Sequence, residues 1–233
     1  VSTFQYHADI LTQFPDLRSG VILAAELNNG PAPASLQAAF LEEQQAVLEG
    51  IGDTPLSEIE ALAAWRSAFR AFGVNPTKYR SAPEALLRRL TKKGDIPSIN
   101  TLVDICNLVS IRYRLPVAAF DTRELALPVS VHFAQGSERF TPLGESQVEH
   151  PEPGEVIFSD TTDLVVARRW CWRQSDESAA RSKTQQAFFT IEAQHPGGYA
   201  EVQSAMEDLI ELAHGHAGGS YTSAMLGVQK ASL

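Results

Sequence analysis

Cysteine and methionine are scarce in this 233-residue chain, with two of each. Cys106 and Cys171 are too few for a disulfide framework, and neither stands in a Cys-x-x-Cys pair. No apolar run approaches the ~18 residues needed to cross a bilayer. The opening Val1-Ser2-Thr3-Phe4 has no basic stretch leading into an apolar one. Together these absences lead us to expect a reduced, cytoplasmic setting with no membrane partner. An excess of positive charge is missing too: 19 Lys and Arg face 28 Asp and Glu, a formal net charge of −9. Coating nucleic acid without selectivity needs cations spread over the surface, so that class is excluded. Glycine-rich phosphate loops, His-Glu-x-x-His and Gly-x-Ser-x-Gly are absent. His214-x-His216 has no Cys or carboxylate at ligand spacing, so we expect no metal and no cofactor.

What is present is an ordinary globular composition, 44 % hydrophobic and 20 % charged, with the two halves patterned differently. Val21–Ala25 reads as a buried strand closed by Asn28-Asn29-Gly30. Ser35–Glu49, Ser57–Phe72 and Ala82–Leu90 carry apolar residues at helical spacing. A fourth helix is expected from Pro97-Ser98 to about Arg114, ended by Leu115-Pro116. Beyond residue 116 strands and turns dominate. Val129–Phe133 alternates, and Glu155–Phe158 and Leu164–Trp172 flank Asp160–Asp163 as a hairpin. Gln185–Glu192 reads as a further strand and Ala200–Ala213 as a closing helix. This pattern gives an α+β class. We expect one domain over residues 1–213 and a flexible tail over 214–233.

Several clusters carry chemistry. Asn100, Asp104 and Asn107 fall at i, i+4 and i+7, on one face of the fourth helix. That face is either solvated or the polar wall of a pocket. Lys78, Arg80, Arg88, Arg89, Lys92 and Lys93 face Glu84 alone, so residues 78–93 run at +5 inside an acidic chain. The stretch is either a solvated helix face or an RNA-backbone contact. Along a strand, Trp170 and Trp172 would share one side, with Arg169, Cys171 and Arg173 on the other. That arrangement serves either as a core tryptophan pair rimmed by arginine stems or as a surface that stacks a base and holds a phosphate. Cys106 and Cys171 read as core residues. His132 is a strand histidine, either structural or exposed, the ordinary case, or reaching the pocket from its strand.

Three stretches carry a family resemblance: Tyr79–Leu90; Ile96–Asn107 continuing to Leu115-Pro116-Val117-Ala118-Ala119-Phe120-Asp121; and Pro153–Asp160 continuing through Arg168-Arg169-Trp170-Cys171-Trp172-Arg173-Gln174 to Thr184 and Ile191-Glu192. Over nearly the whole chain they resemble the B3/B4 domain of the phenylalanyl-tRNA synthetase β subunit. The resemblance is greater still to the freestanding B3/B4 proteins that share the Arg-Arg-Trp-x-Trp-Arg-Gln segment. It implies a β-sandwich-like core with packed helices. In the synthetase this domain hydrolyses tyrosine mischarged on phenylalanine tRNA, so the resemblance implies an aminoacyl-tRNA deacylase, without aminoacylation activity. The implied partner is the aminoacylated 3′ end of a tRNA or, if the fold only binds, an aromatic amino acid.

By resemblance Asn107 is the catalytic-site Asn. Glu192 is the Glu that reads the tyrosine hydroxyl. The helix face, not the resemblance, puts Asn100 and Asp104 on the substrate side, with a structural role as the other reading of Asp104, tying the following loop by hydrogen bonds to backbone N–H groups. Local charge and the aromatic–cationic pattern, rather than the resemblance, assign RNA contacts to Arg88, Arg89, Lys92, Lys93, Arg169 and Arg173. Two departures stand out. Ala118 occupies the place of a family His, removing an imidazole that could orient water. The family's Thr-x-Ala segment has no counterpart after Glu192.

Overall fold

The seven residues Ala187–Ala193 are all buried, which a strand achieves only when both faces of its sheet are covered. The computed structural model, which describes residues 2–233, shows what covers them. In chain order the elements begin β1 (Phe4–Tyr6), α1 (Ala8–Gln13), β2 (Arg18–Ala25), α2 (Ala34–Ile51), α3 (Glu60–Ala71) and α4 (Ala82–Lys93). Then follow α5 (Thr101–Tyr113), β3 (Val117–Asp121), β4 (Val129–Phe133), β5 (Val156–Ser159), β6 (Val165–Arg168), β7 (Arg173–Gln174), β8 (Ala187–Ala193), α6 (Gly198–Ala217) and β9 (Ser220–Leu226). The class is α+β.

One sheet has the order β3-β8-β2-β9 and is antiparallel throughout; the other has the order β1-β4-β5-β6-β7, with β1 parallel to β4. Alternation along the central strands divides the core in two. Ile22 and Ala24 of β2 and Phe189 and Ile191 of β8 join the apolar residues of α2, α5 and α6. Val21 and Phe188 face the other way and meet Phe4, Val131 and Phe158 of the second sheet. The β3-β8-β2-β9 sheet is thus a middle layer between helices and a second sheet. Phe120 stacks on Phe188 at 4.8 Å between the sheets. Thr190 and Glu192 follow Phe188 at period two, so they too face the space between the sheets.

The fourth helix expected from the sequence begins later than Pro97-Ser98. Asn100 is the N-cap of α5 and its side chain accepts from Val103 N–H at 3.1 Å. Asp104 reaches back to accept from Ile99 N–H at 2.7 Å and from Ser98 Oγ at 2.5 Å, holding residues 98–99 out of the helix.

Leu164–Trp172 is not one continuous strand. Strand β6 ends at Arg168, and Arg169 and Trp170 take left-handed backbone conformations with φ 46° and 62°. For non-glycine residues this geometry costs ~1–3 kcal/mol each, and it persists only where packing enforces it. Trp170 is fully buried, with its indole 4.9 Å from Phe14 and 5.2 Å from Trp65, both edge-on. The turn therefore separates the two indoles that strand alternation would have put on one side.

Residues 214–233 are built into the fold rather than hanging as a tail. His214 and His216 sit in the last turn of α6, and β9 pairs with β2 from Ser220 to Leu226. Gly218 and Gly219 make the connecting turn at φ 63° and 89°. A Cβ on Gly219 would lie 2.6 Å from the Ala25 carbonyl oxygen. At the end of the chain, Leu233 O accepts from Phe4 N–H at 3.1 Å and Ala231 O accepts from Tyr6 N–H at 2.9 Å. The C-terminal residues thereby fix β1.

Candidate functional site

A cavity of about 160 Å³ opens where the two sheets meet the flank of α5. A void of roughly 150 Å³ with apolar walls holds a benzene ring, so this one is sized for an aromatic or branched side chain. Cys106 and Asn107 of α5, Ala118 and Phe120 of β3, Phe158 of β5, and Thr190 and Glu192 of β8 line it, with residues 170–174 at one side. Asn107 and Glu192, 85 positions apart in sequence, therefore share one cavity. Among the described residues the Asn107 side chain has no hydrogen-bond partner. The same holds for Thr190 Oγ1, which sequence reasoning missed; it stands directly across the β3–β8 pair from Ala118.

Glu192 is not a surface residue at a strand end. It is 1 % exposed, and its Oε1 accepts from Tyr6 Oη at 2.6 Å and from Trp170 Nε1 at 2.8 Å. Burial pushes its carboxyl up to about 7, against the two hydrogen bonds that pull it down. Among the described residues it has no cation partner. Burial, and then the neighbouring Glu192, raise the Tyr6 phenol well above its ordinary range. Burial likewise raises the Cys171 and Cys106 thiols, so neither is poised as a thiolate nucleophile. Cys171 lines the cavity as well as packing against the core.

Asn100 and Asp104 belong elsewhere. The Asn100 amide caps α5, donates to Ala180 O at 3.0 Å and accepts from Asn29 Nδ2 at 3.2 Å. Asp104 is fully buried on Ser98 and Ile99. Neither lines the cavity, so the substrate-side expectation for both is corrected: the polar atoms of Asp104 are satisfied by the loop before α5, and those of Asn100 by Val103, Ala180 and Asn29. His132 does not reach the cavity either. Its Nε2 is 2.6 Å from Ser159 Oγ and its Nδ1 3.0 Å from Phe133 O.

A wider depression of about 490 Å³ adjoins this cavity. Lys78, Arg80, Arg88, Arg89, Lys92 and Lys93 line it together with Trp172 and Arg173, and the last two also line the cavity. The basic stretch read from the sequence thus converges on the cavity mouth. Arg80 lies 3.7 Å from Glu84 and Arg89 lies 3.3 Å from Asp95. Among the described residues Lys78, Arg88, Lys92, Lys93 and Arg173 have no carboxylate partner, which leaves their charges free for an anion.

Arg169 is corrected out of the RNA-facing set. It is 7 % exposed, with its guanidinium carbon 3.9 Å from the Tyr79 ring centre and 4.5 Å from that of Trp172. A contact to Glu155 at 3.5 Å completes its surroundings. It pins Tyr79 and Trp172 in place. Arg173, which is exposed, lies over Trp172 at 4.6 Å.

The B3/4 domain model covers residues 64–212, more than half of the chain, and the chain belongs to that family. Among individual proteins it is similar to phenylalanine–tRNA ligase β subunits. That of Shewanella oneidensis is 30 % identical over 94 residues, 40 % of this chain and 12 % of the relative. That of Idiomarina loihiensis is 31 % identical over 116 residues, 49 % of this chain and 14 % of the relative. Each match thus spans a small part of a much longer β subunit. Among solved structures, an N-terminal fragment of the Pyrococcus horikoshii phenylalanyl-tRNA synthetase β subunit aligns with a TM-score of 0.48 and 10 % identity, covering 96 % of this chain and 53 % of the fragment. No helix among the described residues is long and apolar enough to cross a membrane.

Proposed function

We propose that the chain is an aminoacyl-tRNA editing-type domain that takes the 3′ end of a charged tRNA and hydrolyses a mischarged aminoacyl ester. The observation that carries this reading is the junction of the two depressions: Trp172 and Arg173 border both the cavity of Asn107 and Glu192 and the basic groove. A single ligand with an amino-acid side chain at one end and phosphates behind it would occupy both.

In this reading the side chain enters the cavity and its tip meets Glu192, while the ester lies near Asn107. The Asn107 amide can donate through Nδ2 to the ester carbonyl oxygen or accept through Oδ1 from the attacking water. Water adds to the carbonyl carbon, the bond to the ribose oxygen breaks, and the products are the free amino acid and a terminal ribose with both hydroxyls. Ala118 offers no imidazole, so the ribose hydroxyl beside the ester is the group at hand to pass the proton. Phosphates of the RNA end would lie along Arg88, Lys92, Lys93 and Arg173.

The test is release of tyrosine from tyrosine-charged phenylalanine tRNA by the purified protein. Turnover that falls ~10²-fold or more in Asn107→Ala supports hydrolysis. A second reading, a module that binds the charged end without cleaving it, is favoured by one observation, the alanine at 118. Tight binding with no release selects that reading, and absence of both binding and release ends the proposal.

A further inference from the structure

Glu192 is held from behind as well as facing the cavity. Tyr6 comes from β1, three residues long, and Trp170 from the left-handed turn after β6. Both donate to the same carboxylate oxygen, Oε1, at 2.6 and 2.8 Å. Among the described residues Oε2 has no partner. Tyr6 does not line the cavity; Trp170 does, but its one N–H is already committed to Oε1, so neither donor is left to bind a ligand in place of Glu192.

Each donor is in turn fixed by packing. The Tyr6 ring lies edge-on to Phe4 at 5.3 Å, and its backbone N–H bonds to Ala231 O. The Trp170 ring is enclosed by Phe14, Trp65 and Phe72. The carboxylate plane is thereby set by two side chains with almost no freedom of their own.

Resting on the reading of the cavity as a side-chain pocket, we propose that Tyr6 and Trp170 are positioning residues. They hold Glu192 by Oε1 and leave Oε2 as the recognition atom at the end of the cavity, so that the pocket selects a side chain ending in one hydrogen-bond donor. A carboxylate held by one oxygen cannot rotate to meet a misplaced donor, and a ligand lacking the donor leaves Oε2 buried and unpaired. The neighbouring groups on the packed elements are Thr190 on the same strand, Ser19 across β2, Cys171 in the turn and Asn107 on α5. The charged side chain that shares the cavity is Arg173 of β7, which is exposed and makes no ion pair with Glu192 among the described residues. The proton state of Glu192 is therefore set by burial and its two donors, and selection for a donor strengthens as Glu192 ionises.

The experiment has a ligand-free and a ligand-bound arm. In the first, ¹³C NMR follows the Glu192 side-chain carboxyl through a pH titration in the intact protein and in Tyr6→Phe, which keeps the ring. Losing one charge-assisted bond should move the midpoint up by about one pH unit or more. In the second, binding of L-tyrosine is compared with binding of L-phenylalanine at pH 8. Tyr6→Phe should cut the preference for tyrosine about tenfold, while in a Glu192→Gln background the same change should do far less. An unmoved midpoint, or a preference that Tyr6→Phe leaves intact, overturns the positioning role. If the midpoint moves but the unaltered protein binds neither amino acid, the pocket reading fails while the hold on Glu192 stands. That outcome refutes the selective role assigned to it.

Discussion

Replacing Glu192 by Gln should change how stability depends on pH, and the size of the change follows from the site. An ordinary glutamate titrates at 4.5, while burial holds Glu192 at about 7 in the folded chain. Below about pH 4.5 the group is protonated in both folded and unfolded chains and adds no pH dependence. Between 4.5 and 7 the unfolded chain has lost the proton and the folded chain keeps it, so stability falls as pH rises. Above 7 both have lost it and the loss levels off. The gap of roughly 2.5 pH units corresponds to about 3 kcal/mol. Gln is close in shape, and its carbonyl oxygen still accepts from Tyr6 and Trp170, so the variant should fold. The assay is urea unfolding of both proteins at intervals from pH 4 to pH 8. The difference in unfolding free energy, variant minus parent, should grow by about 3 kcal/mol across that range and be flat outside it. Taking the difference removes every group the two proteins share. A difference that stays constant with pH would refute the claim that Glu192 is buried without a cation.

Three further outcomes are expected. Changing Arg88, Lys92, Lys93 and Arg173 together to Ala should weaken tRNA binding and lower the slope of log K against log salt by about 3, from roughly 0.7 per phosphate contact on a single strand; an unchanged slope in filter-binding titrations would remove the groove from the account. Asn107→Ala should leave stability within ~0.5 kcal/mol, because that amide has no partner to lose, whereas Asn100→Ala should cost ~1–2 kcal/mol as a lost helix cap; denaturant melts that reverse this order contradict the assignments. Removing residues 214–233 should strip β9 from β2 and release β1, giving a chain that melts far lower or does not fold by circular dichroism. An unshifted melt would mean that β9 adds nothing.

The contrast among Asn100, Asp104 and Asn107 shows what helical spacing can and cannot say. The i, i+4, i+7 pattern is real, but Asn100 lies one residue before α5 and folds over the first turn as its cap. Helical side chains tilt toward the N-terminus, so Asp104 reaches the loop at 98–99. Of the three, only Asn107 is left for the cavity. The basic stretch at 78–93 was legible because α4 and the loop before it are local, and its charges needed no distant partner to cluster. Trp170 was misread because nothing in the sequence marks two consecutive non-glycine residues as left-handed; the packing of the indole against Phe14 and Trp65 enforces it. Tyr6 was invisible for another reason: it lies 186 positions from Glu192, and an isolated tyrosine in a three-residue strand has no pattern. Likewise β9 is rich in Ser and Thr beside two glycines, a composition shared by loops, and becomes a strand because β2 offers an open edge.

The central claim is that Asn107 and Glu192 act on one ligand in one cavity. A double-mutant cycle tests it most directly: the affinity of the protein for tyrosine-charged tRNA, measured for the parent, Asn107→Ala, Glu192→Gln and the double variant at pH 8. Two side chains gripping one bound group should show a coupling energy of at least about 0.5 kcal/mol. Losses that add to within ~0.3 kcal/mol, or a parent protein that does not bind the charged tRNA, would contradict the account.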